Sequence, residues 1–140
     1  MTVKEIILGV KNRPGELSRI IGHLYENDVK VPAFWVGTEN KKATLRCIAS
    51  DPEGAILVLT GLGFKVKTKD VVAAKVPDHP GGLNTVLELL YSENIDILHI
   101  YPCMSIQDTV LILEVDNTKK AVKVLQDNWI TLYDEKIYNM

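Results

Sequence analysis

Residues 12–31 read NRPGELSRIIGHLYENDVKV, and residues 78–97 read DHPGGLNTVLELLYSENIDI. Each holds Pro-Gly-x-Leu, an apolar stripe, Leu-Tyr, a short polar patch and a β-branched run. Leu17, Ile20, Ile21, Leu24 and Tyr25 fall at i, i+3, i+4, i+7 and i+8. Leu83, Val86, Leu87, Leu90 and Tyr91 repeat that spacing. The pattern is one face of an amphipathic α-helix, stated twice. Pro14 and Pro80 stand at the helix start, where a missing N–H costs nothing.

The repeat extends to the whole chain. An offset of 66 residues aligns 1–74 with 67–140 without a gap. Val10/Val76, Pro14/Pro80, Gly15/Gly81, Leu24/Leu90, Leu45/Leu111, Ala55/Ala121 and Leu59/Leu125 are identical. A fixed period marks a repeated structural unit. The expected division is 1–69 and 70–140, without a tether, because VKTKDVVAAKV (66–76) is too short and too apolar to be one.

Each unit reads strand, helix, strand, strand, helix, strand. Strand one is expected at 3–10 and 71–76, strand two at 29–36 and 95–102, and strand three at 43–49 and 109–115. GTENKK and CMSIQD are polar enough for the intervening turns. Asp51-Pro52 and Asp116-Asn117 cap a second helix, 53–62 and 118–127, which Gly63 and Asn128 stop. Strand four is expected at 64–67 and 130–133, with EKIYNM as an edge strand. This order predicts an α+β chain of two ferredoxin-like βαββαβ sandwiches, antiparallel sheets with helices on one face. Units of about 70 residues have marginal cores, so they should pack together, and uncovered edges favour a homodimer.

The totals bound the function. The 140 residues are 46% hydrophobic and 24% charged, with a net charge of −2, which predicts a soluble globule without the basic footprint of a nucleic-acid binder. No apolar run approaches the roughly 18 residues of a membrane span. MTVKEIILGV reads as a first strand, not a signal peptide. Cys47 and Cys103 fall in strands and read as reduced, buried thiols of a cytoplasmic protein. His23, His79 and His99 lack the spacing of a metal site. Phe34, Trp35 and Tyr101 lie on strand two, without the partner aromatics and basic neighbours of an RNA-binding sheet. Asp108, Glu114 and Asp116 form no evident acid/base couple. We therefore expect no enzyme, no metal and no cofactor.

The Pro-Gly turn is the candidate site. Glycine at a strand-to-helix junction lets backbone approach a small ligand. The first-turn amides, at Gly15, Glu16 and Leu17 and at Gly81, Gly82 and Leu83, carry the positive end of the helix dipole and suit a carboxylate. Asn12 offers a donor and an acceptor, and Asp78 stands in its place in the copy, suited to an ammonium group. Taken alone, Pro-Gly is also an ordinary helix start. An amino acid is the ligand that fits both halves of the turn.

With N-R-P-G-x-L at 12–17, D-H-P-G-G-L at 78–83, and LYENDVKV and LYSENIDI after the helices, the chain resembles the ACT-domain family. It is similar to stand-alone tandem ACT proteins without a catalytic domain. The resemblance implies ferredoxin-like units that bind amino acids at interfaces between units, against the loop after strand one. It carries over to Asn12, Pro14 and Gly15 and to Asp78, Pro80 and Gly81, with Arg13 and His79 in the same loops. It also implies a ligand contact at the start of strand two, where this chain has Lys30 and Asp96. The two copies differ in charge at these positions, so unequal sites are expected. The function expected is a non-catalytic amino-acid-sensing regulator read by a partner enzyme. The alternative is a ligand-free interaction module.

Overall fold

One glycine helix start, one side-chain helix cap and two left-handed helix ends in the first half of the chain recur in the second. The computed structural model describes residues 1–39, 42–104, 107–134 and 137–138. In order the elements are β1 (Val3–Val10), α1 (Glu16–Glu26), β2 (Ala33–Glu39), β3 (Lys42–Ile48), α2 (Pro52–Gly61), β4 (Val66–Lys75), α3 (Gly82–Ser92), β5 (Ile97–Cys103), β6 (Val110–Val115), α4 (Thr118–Asp127) and β7 (Leu132–Tyr133). The chain divides into an N-terminal unit, Lys4–Lys69, and a C-terminal unit from Asp70 onward that includes Met1–Val3.

The starts of α2 and α4 are side-chain capped. Asp51 accepts from the Gly54 N–H at 3.0 Å and Asn117 from the Lys120 N–H at 3.1 Å. The starts of α1 and α3 use a different device. Gly15 (φ 82°) and Gly81 (φ 83°) are left-handed N-caps without a side-chain cap bond. A side chain there would cost roughly 1–2 kcal/mol.

All four helices end alike. Asp28, Gly63, Asn94 and Trp129 adopt positive φ. Each is followed by an apolar residue (Val29, Phe64, Ile95, Ile130) whose N–H reaches the carbonyl of Leu24, Leu59, Leu90 or Leu125 at 2.9–3.1 Å. This left-handed closure satisfies the last carbonyls and turns the apolar residue back to the helix. It also corrects the expected start of strand two. Val29 and Ile95 are β-branched, but they plug the core as helix closures, and pairing begins only at Ala33 and Ile97.

Within the N-terminal unit β3 pairs antiparallel with β1 and β2. Within the C-terminal unit β6 pairs antiparallel with β5 and with β4, and β4 also pairs with β7. The register repeats with the sequence. Ile6 faces Cys47 and Leu8 faces Leu45, while Val72 faces Leu113 and Ala74 faces Leu111. Both helices of each unit cover one strand face. Ile20, Leu24, Ala55 and Leu59 pack on Ile6, Leu8, Leu45 and Cys47. Val86, Leu90, Ala121 and Leu125 pack on Val72, Ala74, Leu111 and Leu113.

Three further expectations change. The fourth strand expected at 64–67 and the strand expected at 71–76 are one continuous ten-residue strand, β4. Nothing in VKTKDVVAAK breaks a strand, since it has neither Gly nor Pro. Tyr25 and Tyr91 are 73% and 83% exposed, not part of the buried face. Eight residues on from Leu17 or Leu83 is about 80° around the helix, off the stripe that Ile20 and Leu24, or Val86 and Leu90, bury. In EKIYNM, Ile137 and Tyr138 form a helical turn, not a strand, and Ile137 is fully buried. The rest of that tail, and the centres of GTENKK and CMSIQD, lie outside the described residues.

Candidate functional site

In the N-terminal unit the end of β1, the first turns of α1 and the α2–β4 connection enclose a cleft of about 720 Å³. Gly9, Lys11, Asn12, Glu16, Arg19, Lys42, Gly63, Phe64 and Lys65 line it. Leu17 packs against the core beside it. The Glu16 carboxylate is 3% exposed, held by Arg19 Nη2 at 2.7 Å and Arg13 Nε at 3.0 Å. The hydrogen bond from Arg19, reinforced by Arg13, holds its pKa below the ordinary carboxylate value despite burial. Arg19 also lies over the Phe64 ring, 5.8 Å from its centroid. Glu16 and Arg19 thus form one wall of the cleft, and Arg19 was not among the residues anticipated from sequence.

The helix-start amides are partly used. The Glu16 N–H donates to the Arg13 carbonyl at 3.3 Å and the Gly82 N–H to the His79 carbonyl at 2.9 Å. These two N–H groups close their own turns, because the left-handed glycine folds the turn back on itself. No backbone bond among the described residues uses the N–H of Leu17 or Leu83. Pro14 and Pro80 are exposed in their turns, as are Gly15 and Gly81.

The C-terminal unit has the same cleft in two smaller parts. One, about 200 Å³, is lined by Lys75, Pro77, Asp78, Trp129, Ile130 and Thr131. The other, about 120 Å³, is lined by Lys75, Val76, Pro77, Asp78, Gln107, Asp108 and Thr109. Asp78 therefore occupies the place of Asn12. His79 turns onto its own loop, with Nδ1 at 2.9 Å from the Pro80 carbonyl oxygen. At Gly82 a Cβ would collide with the Pro77 carbonyl, so this helix start is closed tightly on the loop. Leu83 is half exposed beside it.

Lys30 and Asp96 are placed elsewhere. The Lys30 N–H donates to Ser50 Oγ at 2.8 Å, and the Asp96 N–H to Asp116 Oδ1 at 3.1 Å. Both precede their strands and line none of these clefts. Cys47 and Cys103 are buried free thiols, and burial raises the pKa of Cys47 to about 12. His99 pairs with Glu114 at 2.9 Å. Among the described residues no group of three potential metal ligands converges, and no helix is long and apolar enough to cross a membrane.

The family profile described as "ACT domain pair" matches residues 1–140. A comparison with functionally curated proteins finds no match. Among solved structures, protein BT0572 from Bacteroides thetaiotaomicron is similar at TM-score 0.90 and 26% identity, over 100% of this chain and 98% of that one. The regulatory subunit of aspartate kinase from Thermus thermophilus, in ligand-free form, matches at TM-score 0.61 and 14% identity, over 89% and 91%. An aspartokinase of alpha and beta subunits matches at TM-score 0.59 and 20% identity, over 98% and 93%. The latter two share the fold. Two copies of one helix-start cleft, in a register repeated strand for strand and matched from end to end by one profile, place this chain in the ACT-domain family, as an ACT domain pair.

Proposed function

We propose that the chain is a non-catalytic regulatory protein that senses an amino acid, with each half working as a ferredoxin-like ACT unit. The observation that carries this reading is the cleft at the strand-to-helix turn of the N-terminal unit. It has room for a small molecule and places Asn12 next to the positive end of α1. The ligand's carboxylate would lie on the first turn at Gly15 and Leu17, and Asn12 would take the ammonium group. The regulatory subunits that share the fold support the class of function, and a partner enzyme in the cytoplasm would be the reader. Binding can shift the protein only by as much as the ligand prefers one arrangement over another.

A thermal-shift screen against the twenty amino acids at millimolar concentration tests this reading. A ligand at a hundred times its dissociation constant adds roughly 2.7 kcal/mol of stability. One or a few clear shifts are expected, and twenty flat traces would overturn the reading. A second reading, a ligand-free interaction module that pairs with itself or with a partner, is favoured by exposed apolar residues: Phe34 and Val36 on β2, Leu98 and Ile100 on β5. Flat traces together with a stable dimer would move the assignment there.

A further inference from the structure

The two clefts are built on the same positions with opposite charge. Gly9, Lys11, Arg19, Lys42, Lys65 and Lys67 of the N-terminal unit align with Lys75, Pro77, Thr85, Asp108, Thr131 and Tyr133 of the C-terminal unit. The strand register fixes this alignment, since Gly9 faces Thr44 as Lys75 faces Val110. In the C-terminal unit the position is filled from within. The Asp108 carboxylate takes Lys75 Nζ at 3.4 Å on one oxygen and the Tyr133 hydroxyl at 3.1 Å on the other.

In the N-terminal unit every member of that set is changed, to Gly9, Lys42 and Lys67. Gly9 leaves open the space where Lys75 extends, since a Cβ there would meet nothing within 4 Å. Lys42 replaces the carboxylate, and Lys67 replaces the hydroxyl that held it. The cleft continues past Gly9, Lys42 and Lys65 into a second hollow of about 590 Å³, lined also by Thr44, Arg46 and Lys67. Arg46 is neutralised by the buried Glu5 at 3.0 Å. Among the described residues, no ion pair engages the side chains of Lys11, Lys42, Lys65 or Lys67. Four ammonium groups around an open concave space focus a positive potential on whatever enters it.

We infer that the N-terminal cleft takes a small organic molecule with two anionic groups, one at the α1 start and the second among Lys42, Lys65 and Lys67, and that in the C-terminal unit Asp108 occupies the second group's place. This rests on the reading of the α1 start as a ligand site and names the ligand's class. The C-terminal unit is thereby a permanently filled copy, and one chain holds one ligand.

Isothermal titration calorimetry with the full chain at low ionic strength tests it. The probes are L-aspartate, L-glutamate and O-phospho-L-serine against L-asparagine, L-glutamine and L-serine, with succinate as a dianion lacking the ammonium group. At least one of the amino acids with a second anionic group should bind ten-fold or more tighter than its neutral partner, with one site per chain. Lys42→Asp, which copies the C-terminal unit at an exposed position, should abolish that preference, and Lys42→Ala should reduce it. Neutral partners binding as tightly would overturn the inference and leave the amino-acid reading intact. Succinate binding as tightly as the amino acids would support the inference and overturn the amino-acid reading. Binding by none of the probes would overturn the inference outright.

Discussion

Glu16 is a buried carboxylate shared by two arginines at the mouth of a cleft, and its protonation state is coupled to folding. Its lowered pKa means that its stabilising contribution is present above the ordinary carboxylate range and is lost as pH falls through the depressed value. Glu16→Gln should therefore melt below the parent at neutral pH. The gap should close as pH falls below about 4, as read by thermal melts across the acid limb. Trp129 is the second residue at which local chemistry and position conflict. It is 93% exposed and holds φ 65°, where the equivalent Gly63 has φ 93°. Trp129→Gly removes a left-handed side-chain cost of about 1 kcal/mol. The melting temperature should rise by on the order of 3 °C. An unchanged or lower value would show that the ring has contacts that offset the strain.

Among the elements, α1 and α3 were legible in the sequence because their signals are local: a Pro-Gly start, a periodic face and repeated spacing. The caps Asp51 and Asn117 were legible for the same reason. The start of strand two was not. Val29 and Ile95 have strand chemistry, and only the left-handed residues before them, Asp28 and Asn94, show that they close a helix instead. The fusion into β4 was hidden by the repeat itself, which suggests a boundary where the backbone has no reason to break. The helix starts also differ more than their shared Pro-Gly implies. Gly82→Ala drives a Cβ into the Pro77 carbonyl and should cost about 1–3 kcal/mol, the range of an overpacked site. The same position in the other unit already carries Glu16, so Glu16→Ala should cost its arginine contacts without any clash. Chemical denaturation of the two variants checks the contrast.

Across the whole molecule, the repeat supplies the same cleft twice and the side chains then separate the copies. The candidate positions Asn12 and Asp78, read from the sequence, each line a cleft of their own unit. Lys30 and Asp96 lie away from these clefts, and their N–H bonds to Ser50 and Asp116 depend on strand pairing that the local sequence does not show. The exchange of Gly9 and Lys42 for Lys75 and Asp108 is written in the 66-residue offset, but it acquires meaning only once pairing shows that Lys75 reaches Asp108. An open cationic cleft also predicts salt sensitivity. Ligand affinity should fall steadily as sodium chloride rises from 0.1 M to 1 M, where the screening length drops from about 10 Å to about 3 Å. The most direct measurement is an amide-resolved NMR titration with L-aspartate and L-glutamate, followed at the glycine signals. The account predicts saturable shifts at Gly9, Gly15 and Gly63, with Gly81 and Gly82 unmoved. Equal shifts at Gly15 and Gly81, or none at either, would contradict it.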